Sequence, residues 1–459
     1  MAYDPLLAEI RFGFGLSPLA PPPSGAAELL EGIHRPDVVE HLAPIPPFSE
    51  AVTLFHDLRD LRRADREARG TSREEAVAAR LQATSQEAVK LRRRNLGAAY
   101  IRASETRSGF RERLVAFWAD HFTVRAKSFL FQHLVAPYVE EAIRPRIAMP
   151  YARLLKEAVL HPMMLAYLDQ TPSIGPNSRA AEEGGGGGLN ENLARELLEL
   201  HTIGAGGPYS QMDVRELAEL LTGVVWYQDE PGRSYRPRRA EPGAEVVLGR
   251  TFSSEAELRT VMEALEFLAA HPATARHVSA KLARSFVAEV PPADLVDAMA
   301  STWEETGGDL AAVYAAMLAH PAAWGPERTR IKPPFDFIAS SLRALAIGRT
   351  EITPLPEYRV WSKLGVPLRG MGQPWESPVG PDGWPEAAAA WVTPQFYAAR
   401  ISWAMRTPAG LTELPDPRAF AITALGPLAS PELRFAALAA ETRGEGIGVI
   451  LASPDFQRR

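Results

Sequence analysis

The sequence predicts an all-α protein, a large multi-helix body in two lobes with a long Gly-rich loop and one short Pro/Arg-rich excursion holding minor β structure. Three observations predict it. Apolar residues recur at helical spacing over most of the 459 residues, as in the Ala-, Leu-, Arg- and Glu-rich stretch from His56 to Ala103. Pro follows a potential capping residue wherever one apolar helix ends and another begins, at His161-Pro162, His271-Pro272, His320-Pro321, Ser430-Pro431 and Ser453-Pro454. Only Glu245-Val246-Val247-Leu248 reads as a strand.

The chain is longer than the size at which one hydrophobic core stops growing, hence the expected division into residues 1–170, a flexible loop over 171–188, and residues 189–459. Apolar residues at 46% and charged residues at 23% are ordinary for a globular chain. A net charge of -6 gives no general attraction to nucleic acid or anionic lipid. With no Cys, thiolate catalysis, disulfides, iron–sulfur clusters and Cys-based zinc sites are excluded. The opening Met1 to Phe14 lacks the basic stretch and apolar core of a secretory signal, and no apolar run reaches a membrane-spanning length, so the expectation is a cytoplasmic protein.

From the N-terminus, Ile10 to Gly15 and the Pro-rich stretch after it read as an arm laid on the body, because Pro18 to Pro23 can hold no helix interior. Long solvated helices follow to Ala103, then helical segments at Phe110–Phe122, Phe129–Ile143 and Pro150–Leu168. Thr171 to Gly188 interrupts them with five consecutive glycines and is expected to be a mobile lid. Helices return at Glu191–Thr202 and Met212–Val225, and after Ser254 the pattern is helical to the end. His161, His271 and His320 alternate with Ser in the slot before Pro, so they are read as helix-junction residues and leave the chemical inventory.

The densest group of functional side chains is Asn190 to Gly204. At about 100° per residue, Leu193, Ala194, Leu197, Leu200 and His201 fall on one side, opposite a ladder of Glu191, Arg195 and Glu199. Asn192, Glu196 and Glu199 form a third stripe. Two carboxylates three residues apart repel, so Glu196 and Glu199 need either an Arg network or a divalent metal ion. Asp120-His121 closes an aromatic helix, and His121 is the best partner for His201 from another element. Asp213 completes a capping box with Ser210. The glycine run has no Lys-Ser/Thr after it and acidic neighbours, so it is no phosphate loop; hydrolase elbows and His-Glu-x-x-His helices are absent. The loop Gly380-Pro381-Asp382-Gly383-Trp384-Pro385 either plugs a cleft or lines one.

Two readings stay open. In the first, a helical enzyme carries a polar or metal-assisted site between the 190–201 helix and the helix ending at His121: Glu191, Glu196, Glu199 and His121 are the catalytic candidates, and Asn190, Asn192, Arg195, His201 and Asp120 the binding ones. In the second, the same residues lock a non-catalytic scaffold together.

Arg11 to Gly15, Phe117-Trp118 with His121-Phe122, and Met164-Leu165 with Tyr167-Leu168-Asp169 carry a resemblance that spans nearly the whole chain. Its most specific part is Asn190-Glu191-Asn192 with Ala194-Arg195-Glu196-Leu197, joined by Lys332-Pro333-Pro334, Gly372-Gln373-Pro374 and Ser453-Pro454-Asp455-Phe456-Gln457. The chain resembles the bacterial family of domain of unknown function 1800. The resemblance implies a helical fold and bacterial origin, and it brings no assigned activity. Many such relatives carry export signals and are encoded beside a sulfatase-like protein, which the resemblance implies as a partner. It also implies His-Asp-Pro-Gly where this chain has Ala240-Glu241-Pro242-Gly243, and whether Ala240 makes this member atypical stays open.

Overall fold

Helix covers 63% of the described residues and strand 4%, in a computed structural model that describes residues 3–35, 38–184, 187–230 and 232–459. The strands form two antiparallel hairpins, Val224–Val225 with Ser234–Tyr235 and Val246–Val247 with Arg250–Thr251. The second contains the centre of the strand read from sequence. Among the described residues, no helix is long and apolar enough to cross a membrane.

The Pro junctions set the turns between helices. His161, His271 and His320 each accept a hydrogen bond from the backbone N–H two residues on, and Ser430 and Ser453 from that three residues on, with Pro at the first helical position in all five. The imidazole Nδ1 thus does the work of a Ser hydroxyl at a helix N-terminus, satisfying a donor the helix leaves free. Asp213 and Ser210 form the expected capping box.

The N-terminus departs from expectation. A helix, Pro5–Phe12, capped by Asp4 and buried from Leu7 onward, takes up Ile10 to Phe12 of the segment expected as an arm laid on the body, while Pro18 to Pro23 hold no helix, as read. The Pro-rich stretch masks its start: Asp4-Pro5 is itself an N-cap followed by Pro at the first helical position. Arg11 anchors it from inside, donating to the carbonyls of Ala323, Gly325 and Glu327 at 2.6, 2.8 and 2.7 Å. Arg343 does the same from the other side, donating to the carbonyls of Gly15, Ser104 and Thr106 and to the Glu9 carboxylate. Five fixed donors let a buried guanidinium satisfy several carbonyls at once, which an ammonium cannot do.

Phe48–Ala68 and Glu74–Glu105 are the long helices expected between His56 and Ala103. Buried apolar residues gather in two clusters. One, around Phe12, Trp118, Tyr151 and Trp303, draws on residues from Ala8 to Trp324. The other packs the end of the Glu74–Glu105 helix against residues 337–456. The first takes residues from both sides of segment 171–188, so that segment does not separate the two. Within it Ser173, Ile174 and Ser178 are buried, and the Gly175 N–H donates to the carbonyl of Arg239. Gly185 and Gly186, on which the expectation of a mobile glycine run partly rested, lie outside the described residues.

Candidate functional site

The Gly109–His121 helix alternates two environments because its apolar residues do not all face the same way. Leu114, Val115 and Trp118 pack into the first cluster. Ala116, Ala119 and Asp120 turn toward a cavity of about 290 Å³. Ala116 is exposed there although the helix lies within the protein, so the helix has an unfilled face. Phe117, Trp375, Trp384 and Trp391 supply the aromatic walls. A concave, mostly apolar space with a few placed polar groups is the form that small-molecule sites take.

The loop after Gly372 closes the cavity, so of the two options read from sequence it takes the lining one. Its attachment point is Asp120. The Trp384 N–H donates to Asp120 Oδ1 at 2.9 Å, and Gly383, at φ 81°, passes so close that a Cβ there would stand 2.5 Å from the same oxygen. Only glycine combines that conformation with that approach. Glu386 pairs with Arg284 at 2.6 Å, and its carbonyl accepts from Arg330 at 2.8 Å. Glu376, at φ 54°, holds a left-handed conformation uncommon for a side-chain-bearing residue.

Electrostatically, burial raises the acids of the site and lowers its histidines. Burial pushes the Asp120 carboxyl up to about 7, against the pull of the Trp384 N–H and Lys281. Asp120 nevertheless opens on the cavity and is only partly buried. Burial likewise raises Glu376 to about 7; one of its oxygens meets Arg92 at 3.3 Å and the other has no partner. His121 and His201 are both held neutral, first by burial and then by Lys281, with His201 down to about 3. Lys281 lines the cavity and forms no ion pair among the described residues.

His121 and His201 do meet, with ring centroids 5.6 Å apart. His121 Nε2 lies 3.1 Å from the Tyr151 hydroxyl and 3.3 Å from the His201 carbonyl, and the Tyr151 hydroxyl also donates to that carbonyl. His121 lines the cavity; His201 stands behind it, 1% exposed, with Nδ1 unpartnered.

The 190–204 segment corrects the helical wheel. Asn192–Glu196 is α-helix, but Leu197–His201 is a π-turn. A wider turn shifts the phase of every side chain after it. Leu198 is therefore buried in the place expected of Leu200, while Leu193, Ala194, Leu197 and His201 are buried as read. The wide turn frees the carbonyls of Leu200 and His201, which accept from His277 and Tyr151. Gly204, at φ 92°, ends the segment against the His277 ring.

The acidic ladder and stripe sit apart from the cavity walls. Arg195 reaches Glu191 at 3.0 Å and Glu199 at 3.4 Å, and Gln211 donates to Glu191 at 2.9 Å. Asn190 accepts from the Asn192 N–H and donates to the carbonyl of Asp169; Asn192 is exposed. Glu196 is half-buried, its pKa raised by burial, then by Glu199 and Asp382. Among the described residues no group of three or more His, Asp or Glu is placed to hold a metal ion.

Several cavity residues escaped the sequence reading: Arg113, Lys281, Arg330, Asp336 and Arg459. Arg113 and Asp336 are on different helices yet form an ion pair, which no spacing reveals. The signal at hand was the Lys332-Pro333-Pro334 motif two residues before Asp336. The family described as protein of unknown function (DUF1800) matches residues 8–458. The chain belongs to the DUF1800 family. No curated protein and no solved structure matches it. The match takes in both the helix bearing Asp120 and the loop that closes over it.

Proposed function

We propose that the cavity over the Gly109–His121 helix is the active site of a small-molecule enzyme, with Asp120 as its proton donor and acceptor. One observation carries the reading: a single concave space gathers Asp120, His121 and Lys281 between aromatic walls. A carboxyl that titrates near neutrality can both give and take a proton at working pH, which an ordinary Asp cannot. Lys281 beside it supplies positive charge where negative charge develops. His121, fixed by Tyr151 and the His201 carbonyl, shapes the wall and donates or accepts one hydrogen bond as a neutral imidazole.

The polar 190–201 segment supports this site from behind. Arg195 between Glu191 and Glu199 favours a structural role for that ladder. Glu196, on which Asp382 of the closing loop acts, stands outside the cavity wall. The test is to incubate the full chain and its Asp120→Asn variant with an extract of small metabolites and compare the mixtures by mass spectrometry. A compound consumed by the wild type and spared by the variant supports the proposal; no compound consumed, or equal consumption by both, overturns it.

A further inference from the structure

One end of the cavity carries more positive charge than its neighbours can neutralise. Arg113, Arg330 and Arg459 form part of its wall around Asp336, with Arg113 and Arg459 both bonded to the Asp336 carboxylate. Lys332 and Arg400 stand directly behind and also act on Asp336. All six side chains are more than nine-tenths buried. Asp336 is thus one carboxylate among four guanidiniums and a Lys332 ammonium that burial, and then Arg328, bring down to about 7.

The surrounding acids do not make up the difference. Glu386 and Glu289 act on Arg330, but Glu386 is already paired with Arg284. Asp455 acts on Arg328, itself a further cation beside Lys332. With all of these acids counted, the cations still outnumber the anions. The donors are also underused. Nε of Arg113, Arg330, Arg400 and Arg459 each lacks a partner, as does Nη2 of Arg400. The Lys332 ammonium makes no hydrogen bond or ion pair among the described residues and sits 4.0 Å over the Phe456 ring.

Unpaired buried charge is expensive, and buried donors are normally bonded. A group of cations kept together at the wall of a cavity is accounted for by an anion that enters the cavity. We infer that the Arg113, Arg330 and Arg459 wall, backed by Lys332 and Arg400, binds the oxyanion of the substrate, a phosphate in preference to a carboxylate. The charge excess favours a group with more than one negative charge, and planar guanidiniums match its oxygens two at a time. This rests on the proposed site: the oxyanion is held beside Arg113 while Asp120 works about two turns further along the same helix. The substrate class is then a small phosphorylated molecule whose apolar part lies along Phe117, Trp375 and Trp384.

Isothermal titration of the full chain with orthophosphate, and separately with acetate, tests this in a buffer free of both. Orthophosphate should bind at one site per chain, more tightly than acetate. Arg330→Gln should weaken it by about ten-fold or more, the loss expected when a charge-assisted contact is removed, and Lys332→Met, which removes a charge behind the wall without touching the anion, should weaken it by about three-fold or more. Lys332→Met removes a group without hydrogen bonds, so this variant stays folded and decides the matter if Arg330→Gln does not. Asp120→Asn should bind orthophosphate as the wild type does. Acetate bound in preference would overturn phosphate and leave a carboxylate as the oxyanion. No binding of either, or binding undiminished in Lys332→Met, overturns the anion site. Phosphate binding together with a failed metabolite test would sink only the catalytic reading.

Discussion

Replacing Asp120 by Asn should make the protein more stable at neutral pH, and the gain should depend on pH in a way that fixes the protonation state of Asp120. An unfolded Asp ionises near 4, whereas the folded Asp120 ionises at about 7. Between those values the folded chain keeps a proton that the unfolded chain has released. Stability therefore falls as pH rises through this window, by up to about 1.4 kcal/mol per unit. The cavity lets water reach Asp120, which screens part of the effect, so the total is taken as about 2–4 kcal/mol above pH 7. Asn keeps an oxygen for the Trp384 N–H and carries no charge, so it escapes the penalty. Urea unfolding of wild type and variant, followed by Trp fluorescence from pH 5 to pH 8, isolates the difference because other titrating groups cancel. The variant's advantage should grow across pH 5 to 7 and level off above. A variant less stable than the wild type at pH 8, by an amount independent of pH, would show an ionised Asp120 in a structural pair with Lys281 and refute the acid–base argument.

Arg343→Met removes hydrogen bonds to three carbonyls and leaves the buried Glu9 carboxylate unpaired; a loss of about 3–5 kcal/mol is expected by chemical denaturation. Gly383→Ala must adopt a positive φ and clear the Asp120 carboxylate, which should cost about 2–4 kcal/mol or lift the loop and raise its hydrogen exchange. Glu196→Gln relieves repulsion with Glu199 and Asp382; it should melt at or slightly above the wild-type temperature and leave metabolite turnover intact, which turnover assays of the variant check.

Helices, caps and junctions were legible because they are local. His161 before Pro162 declares its role within three residues, as does Ser210 before Asp213. Asp4-Pro5 held the same signal, overridden by the prolines that follow. The π-turn at Leu197–His201 was not legible: periodicity assumes one angle per residue, and the extra residue is stabilised by His277 and Tyr151 from other helices. For the site, His121 and the Trp384 loop were visible as unusual residues in suggestive surroundings. The pairing of Asp120 with Trp384, 264 positions away, and the ring of cations at Asp336 depend on tertiary contacts that a single sequence does not display. The emphasis accordingly moves from the Glu196 and Glu199 stripe to Asp120.

The central claim is that the space over the Gly109–His121 helix takes a small molecule. Ala116 offers the cleanest probe, since it is uncharged, faces the cavity and has room for a larger side chain. Wild type and Ala116→Trp, both verified as folded by their melting transitions, would be equilibrated with the same metabolite extract, washed, denatured and analysed for retained compounds by mass spectrometry. The account predicts a phosphorylated compound retained by the wild type and missing from Ala116→Trp; identical retention by the two proteins, or none by either, would contradict it.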